Sequence, residues 1–222
     1  MNNERTFIFI ITAYVLSLLF ELVFGLSNYQ LQQKSKYSLL NRYPFELAQG
    51  SKRYFLPIHY VLVSISSILM ILFAYFFFKE LSDAYLIVGT IMTILIAAGI
   101  FLMFVMTDKR PRFRMIVVLV SALATVALSA IIGTHFLRGY SPRGQRFTTF
   151  EAILGFVPAF AALIVIVNPN LYKYIISDKR IRQDGILEIS RPKKYAPSYT
   201  EWLLIAINVY LFLLVNIVNF IH

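Results

Sequence analysis

"MIVVLVSALATVALSAIIGTHFL", residues 115–137, contains no Asp, Glu, Lys or Arg. It is apolar all round, so it is not the striped helix of a soluble domain. About 20 such residues in a helix match the roughly 30 Å hydrocarbon core of a bilayer. Similar blocks recur along the chain and define six spans, 6–26, 55–78, 84–107, 115–137, 149–176 and 202–221. The connections between them hold most of the charge, Pro and Gly. None of the blocks alternates with period two, as a barrel strand would, and a helix satisfies its backbone polar groups within the segment. The expected fold is therefore all-α, a polytopic bundle of six transmembrane helices forming one domain over residues 1–222.

Composition agrees. The chain is 59% hydrophobic and 14% charged, whereas soluble domains carry about 45–50% apolar and about 25% charged residues. The first block is longer than the roughly 7–15 apolar residues of a signal peptide, and no small-residue cleavage site follows it. It is read as a retained span. There is no cysteine, which excludes disulfides, thiolate metal sites and a cysteine nucleophile.

The basic residues are unevenly divided. Fifteen lie in the first, third and fifth connections, against five on the opposite side. The positive-inside rule then places those three connections in the cytoplasm and both termini outside. The net charge of +10 is explained by basic loops beside anionic headgroups and calls for no nucleic acid. The expected home is a plasma membrane, multi-pass and bacterial, with anionic lipid as the first partner.

Several local features refine this picture. "YSLLNRYPFELAQG", residues 37–50, offers Leu39, Leu40, Tyr43, Phe45 and Leu47 around Pro44. It reads as an interfacial segment anchored on lipid, with a mobile gate as the sharper alternative. Gly89, Thr93 and Ala97 in span three, and Ser121, Thr125, Ser129 and Gly133 in span four, form small-residue ridges that admit close helix contacts. The three hydroxyls are alternatively a polar line along a pathway. Pro158 should kink span five, and Pro169 disfavours helix at Asn168. Ser198 and Glu201 have the spacing of a capping box at the start of span six. Asn208 and Asn216, eight apart, share a face of that span.

Ionisable groups inside a membrane cost roughly 2.5–3.5 kcal/mol each at mid-span and are functional candidates by default. They fall into two layers. The cytoplasmic layer holds Glu21, His59, Lys173 and Glu201, with Asn168 and Asn170 nearby. Glu21 needs a partner, and His59 and Lys173 have the right depth. A Glu–His pair is able to bind a proton or cation, against which stands a merely structural ion pair. The outer layer is "GTHFLRGYSPRGQRFTTFE", residues 133–151, where a short turn should bring His135 close to Glu151 and present Arg138, Arg143 and Arg146. Arginine forks bind phosphate and carboxylate, although "SPRG" is also a good turn signal.

No HExxH, GxSxG, Walker A or EF-hand pattern occurs, and two histidines at opposite ends of the bundle make a zinc site unattractive. No cofactor and no metal are expected. The leading reading is a non-enzymatic component that binds or moves a small solute or ion through Glu21, His59, Asn168, Lys173 and Asn208. Behind it come an accessory, sensory or immunity protein acting through helix contacts with a membrane-protein partner, and an envelope enzyme using His135, Glu151 and the arginines on an anionic or lipid-linked substrate.

Overall fold

The computed structural model describes residues 3–33, 38–40, 42–49, 55–79, 81, 83–106, 111–139, 146–169 and 196–221. They form α1 (Asn3–Gln33), α2 (Phe45–Gln49), α3 (Leu56–Lys79), α4 (Asp83–Val105), α5 (Pro111–Arg138), α6 (Thr149–Val167) and α7 (Ala196–Ile221). All but α2 are long and apolar enough to cross a membrane. The protein is a six-helix bundle of the multi-pass membrane kind.

Each long helix packs on the next along the chain, and α7 lies against α6, α5 and α1, closing the ring. The faces are sorted as lipid demands. On α1, Phe9, Leu16, Leu19, Phe20 and Val23 point outward, while Tyr14, Leu18, Glu21 and Asn28 are buried. The outer surface is thus apolar, and the polar side chains of the spans collect inside.

The small-residue ridges lie at close contacts. A methyl group on Gly155 would sit 3.0 Å from Gly133 Cα, so α5 and α6 meet backbone to backbone. One on Gly99 would fall 1.7 Å from Ser121 Oγ, and one on Gly89 would enter the Phe78 ring. The hydroxyls of the α5 ridge are fully buried and bonded. Ser121 donates to Val117 O, Thr125 to Ser121 O, and Ser129 to Gly155 O. Ser129 Oγ also accepts from Ala159 N at 3.0 Å. One hydroxyl of α5 thereby bridges both ends of the helical rung beside Pro158, where the α6 ladder is weakened.

Three boundaries differ from expectation. Helix α1 continues to Gln33, well past the expected end at residue 26, because "SNYQLQQ" holds no Gly or Pro to stop it. Glu21 therefore lies near mid-helix and not one and a half turns from its end. Helix α6 stops at Val167, and Asn168 is extended as its Pro169 neighbour requires; the rest of the expected span, 170–176, lies outside the described residues. Helix α7 starts at Ala196, so Ser198 is inside the helix, its hydroxyl buried without a hydrogen-bond partner. It is not the N-cap.

Candidate functional site

Glu21 of α1 and His59 of α3 face each other, 0% and 2% exposed, with Nδ1 of the imidazole on Oε1 of the carboxylate. The His59 ring sits edge-on to Phe104 at 5.9 Å between centroids, and Phe104 sits edge-on to Trp202 at 5.8 Å. Glu21 Oε2 and His59 Nε2 are buried without a hydrogen-bond partner. A carboxylate has about four lone-pair sites and an imidazole two nitrogens, so this pair retains unused capacity for a proton, a cation or a polar solute.

The segment 42–49 lies against this region. Tyr43, Phe45, Leu47 and Ala48 are buried, whereas Leu39 and Leu40 remain exposed. This corrects the lipid-anchor expectation, since most of the apolar side chains enter the mouth of the bundle. Gly25, one turn beyond Glu21, lets Leu47 approach; a methyl there would meet its Cβ at 3.4 Å. Glu46 Oε2 accepts from Tyr43 N at 2.6 Å and pairs with Arg42 at 3.5 Å, which fixes the turn. Trp202 Nε1 donates to Arg42 O at 2.9 Å.

A second buried pair holds the segment down. Arg114 Nε and Nη2 form a fork on both oxygens of Glu201. The same guanidinium donates to Met103 O at 3.0 Å and to Met106 O. Its centre stacks 4.3 Å from the Tyr43 ring and 4.6 Å from the Phe45 ring. Sequence reasoning missed this pair by assigning Arg114 to a basic loop and Glu201 to a capping box. A signal was present, because Arg114 is seven residues before Ser121 and Glu201 seven before Asn208, each on the inward stripe of its helix.

The remaining candidates are dispersed. Asn208 is fully buried on the α5–α7 seam, its Oδ1 3.1 Å from Thr125 Oγ1 and its amide donating to Leu204 O at 2.9 Å. Asn168 donates to the Tyr199 hydroxyl at the end of α6. Lys173 and Arg143 lie outside the described residues. At the opposite end of the bundle, His135 sits edge-on to Phe147 and Phe77, centroids 5.4 and 6.2 Å away. Glu151 closes a capping box with Thr148, accepting from Thr148 N at 2.6 Å. Arg138 and Arg146 are exposed. Among the described residues no cluster of His, Asp or Glu is able to hold a metal ion.

No protein family matches the chain, and neither a curated protein nor a solved structure matches it. The class that fold and site define is a multi-pass membrane bundle with a buried carboxylate–imidazole pair.

Proposed function

We propose that the chain is a small transport component of a bacterial plasma membrane that binds a proton or small cation at the Glu21–His59 pair. One observation carries this reading: two titratable groups from different helices meet at near-complete burial, and each leaves a polar atom without a partner. Such groups are expensive in a membrane. A purely structural pair gains most when its remaining lone pairs and protons are bonded, as at Arg114–Glu201. The Oε1–Nδ1 contact uses one proton, and Glu21 Oε2 and His59 Nε2 leave room for another.

The segment 42–49 supports the same reading as a cover on the basic end of the bundle. Transport requires a site that opens to one side at a time, and a short buried segment anchored by Arg114 and Trp202 is suited to that. The outer cluster gives the enzyme reading less support, because His135 is engaged with rings and Glu151 with a helix cap.

The test is proton flux. Purified full-length chain is reconstituted in liposomes containing a pH-sensitive dye, and a potassium diffusion potential is imposed with valinomycin. Wild type should acidify or alkalinise the lumen according to the sign of the potential. Glu21→Gln should abolish this while eluting as a folded species, and equal flux in the two proteins would refute the reading.

A further inference from the structure

Most of the unpartnered polar atoms among the described residues lie on two helices. Apart from the Glu21 Oε1–His59 Nδ1 contact, the buried side-chain atoms without a hydrogen bond among the described residues are the Tyr14 hydroxyl, Glu21 Oε2, His59 Nε2 and the Thr90 and Ser198 hydroxyls. Those of Glu21 and His59 face each other across the α1–α3 seam, and Tyr14 stands on the same face of α1 as Glu21. Tyr14, Ser17 and Glu21 stand at i, i+3 and i+7 and share a face of α1. His59 and Ser66, seven apart, share a face of α3. The helices run antiparallel, so that Glu21 meets His59 and, one turn back on α1 and two turns on along α3, Ser17 Oγ meets Ser66 Oγ at 2.7 Å.

The hydroxyl pair has two proton arrangements. Ser17 is able to donate to Tyr14 O at 2.8 Å while Ser66 donates to Ser17, or Ser66 to Leu62 O at 3.0 Å while Ser17 donates to Ser66. Each hydroxyl has one proton and two lone pairs, and switching between these arrangements is the reorientation a proton relay needs. The Glu21 side chain leans toward the N-terminus of α1, hence toward Ser17, and the Tyr14 ring leans further the same way. Tyr14 is 2% exposed and packs against Phe212 at 6.2 Å. A phenylalanine would fill that ring site as well, so packing alone gives no reason for a hydroxyl there.

We propose that the proton held at Glu21–His59 is exchanged along the α1–α3 seam, through the Ser17–Ser66 hydroxyls, with the Tyr14 hydroxyl as the station nearer the N-terminal end of α1. The proposal rests on reading Glu21–His59 as a proton site. In each transfer a station takes a proton on its oxygen as it passes its own onward, and an O–H bond forms at the Glu21 carboxyl for each proton entering beyond Tyr14. No oxidant or co-reactant is needed. The path requires water to bridge the gaps between stations, as polar interior sites of sufficient room allow.

The liposome assay decides this with three further variants. Tyr14→Phe should lower proton flux about tenfold or more, the effect of removing one relay station. Its thermal midpoint in detergent should be unchanged or higher, since a buried unpartnered hydroxyl has been removed. Ser17→Ala should lower flux similarly and Ser17→Thr should restore it, because only the oxygen is at issue. This contrast stands even if Tyr14→Phe folds poorly. Wild-type flux in Ser17→Ala, or in a folded Tyr14→Phe, overturns the path; if Glu21→Gln is then still inactive, the proton site itself survives. Equal flux in wild type and Glu21→Gln overturns both.

Discussion

Replacing Arg114 with Met should be among the most damaging single changes in the bundle. The substitution keeps an unbranched side chain but removes a fork on Glu201, two hydrogen bonds to the Met103 and Met106 carbonyls, and a cation against two rings. Removing one partner of a buried pair costs about 3–5 kcal/mol; Glu201 is 0% exposed here. The loss of two desolvated ring contacts adds about 1–2 kcal/mol. Glu201→Gln retains an acceptor for Arg114 and leaves the carbonyl and ring contacts intact, so about 1–3 kcal/mol is expected. The double variant Arg114→Met/Glu201→Met removes both charges and should recover to within about 2 kcal/mol of wild type. Unfolding in mixed micelles with rising SDS gives these differences. A second readout separates stability from closure of the 42–49 segment. The chain has no cysteine, so Leu47→Cys is a unique label, and its maleimide reaction in membranes reports opening. Labelling should rise in Arg114→Met and stay raised in the stable double variant, because Tyr43 and Phe45 have lost their cation in both. A cost below about 1 kcal/mol for Arg114→Met, with unchanged labelling, would show that the pair neither holds the fold nor holds the segment.

Two further substitutions test the packing. Gly99→Ala should destabilise strongly, since its methyl would fall 1.7 Å from Ser121 Oγ, and Ser121→Ala in the same chain should restore part of the loss in the SDS titration. Ser129→Ala should cost about 1–3 kcal/mol by stranding buried Gly155 O and Ala159 N beside Pro158; a neutral result would mean that this rung closes without the bridging hydroxyl.

How much the sequence disclosed follows from the physics of each feature. Six spans were legible because hydropathy averages over about 20 residues and tolerates local exceptions. Helix ends were less legible, because hydropathy marks where lipid stops and not where hydrogen bonding stops; "SNYQLQQ" is polar yet helical. The depths of Glu21 and His59 suggested their meeting, which the structure places on facing helices. Arg114 and Glu201 escaped because each had a sufficient local explanation, a basic loop for one and a cap for the other. Only their heptad relation to Ser121 and Asn208 tied them to the interior. The 42–49 segment was ambiguous in principle, since lipid and bundle core are both apolar solvents for Tyr43, Phe45 and Leu47. What decides between them is the guanidinium beneath the rings, and that comes from a residue about 70 positions away.

The interior thus has two polar seams that solve one problem in opposite ways. Between α5 and α7, Arg114 meets Glu201 and Thr125 meets Asn208, while Ser121 and Asn208 return bonds to their own helices. These groups are buried and engaged, and such a seam fixes register and resists change. Between α1 and α3, Glu21, His59 and Tyr14 are just as buried but keep polar atoms without partners. The chain has the means to satisfy such atoms, as its other seam demonstrates, and a phenylalanine at Tyr14 or an apolar pair at Glu21 and His59 would remove the penalty altogether. Among the described residues the bundle gathers most of its unused hydrogen-bonding capacity on α1 and α3, the Thr90 and Ser198 hydroxyls of α4 and α7 being the exceptions. That asymmetry directs the search for function to α1 and α3.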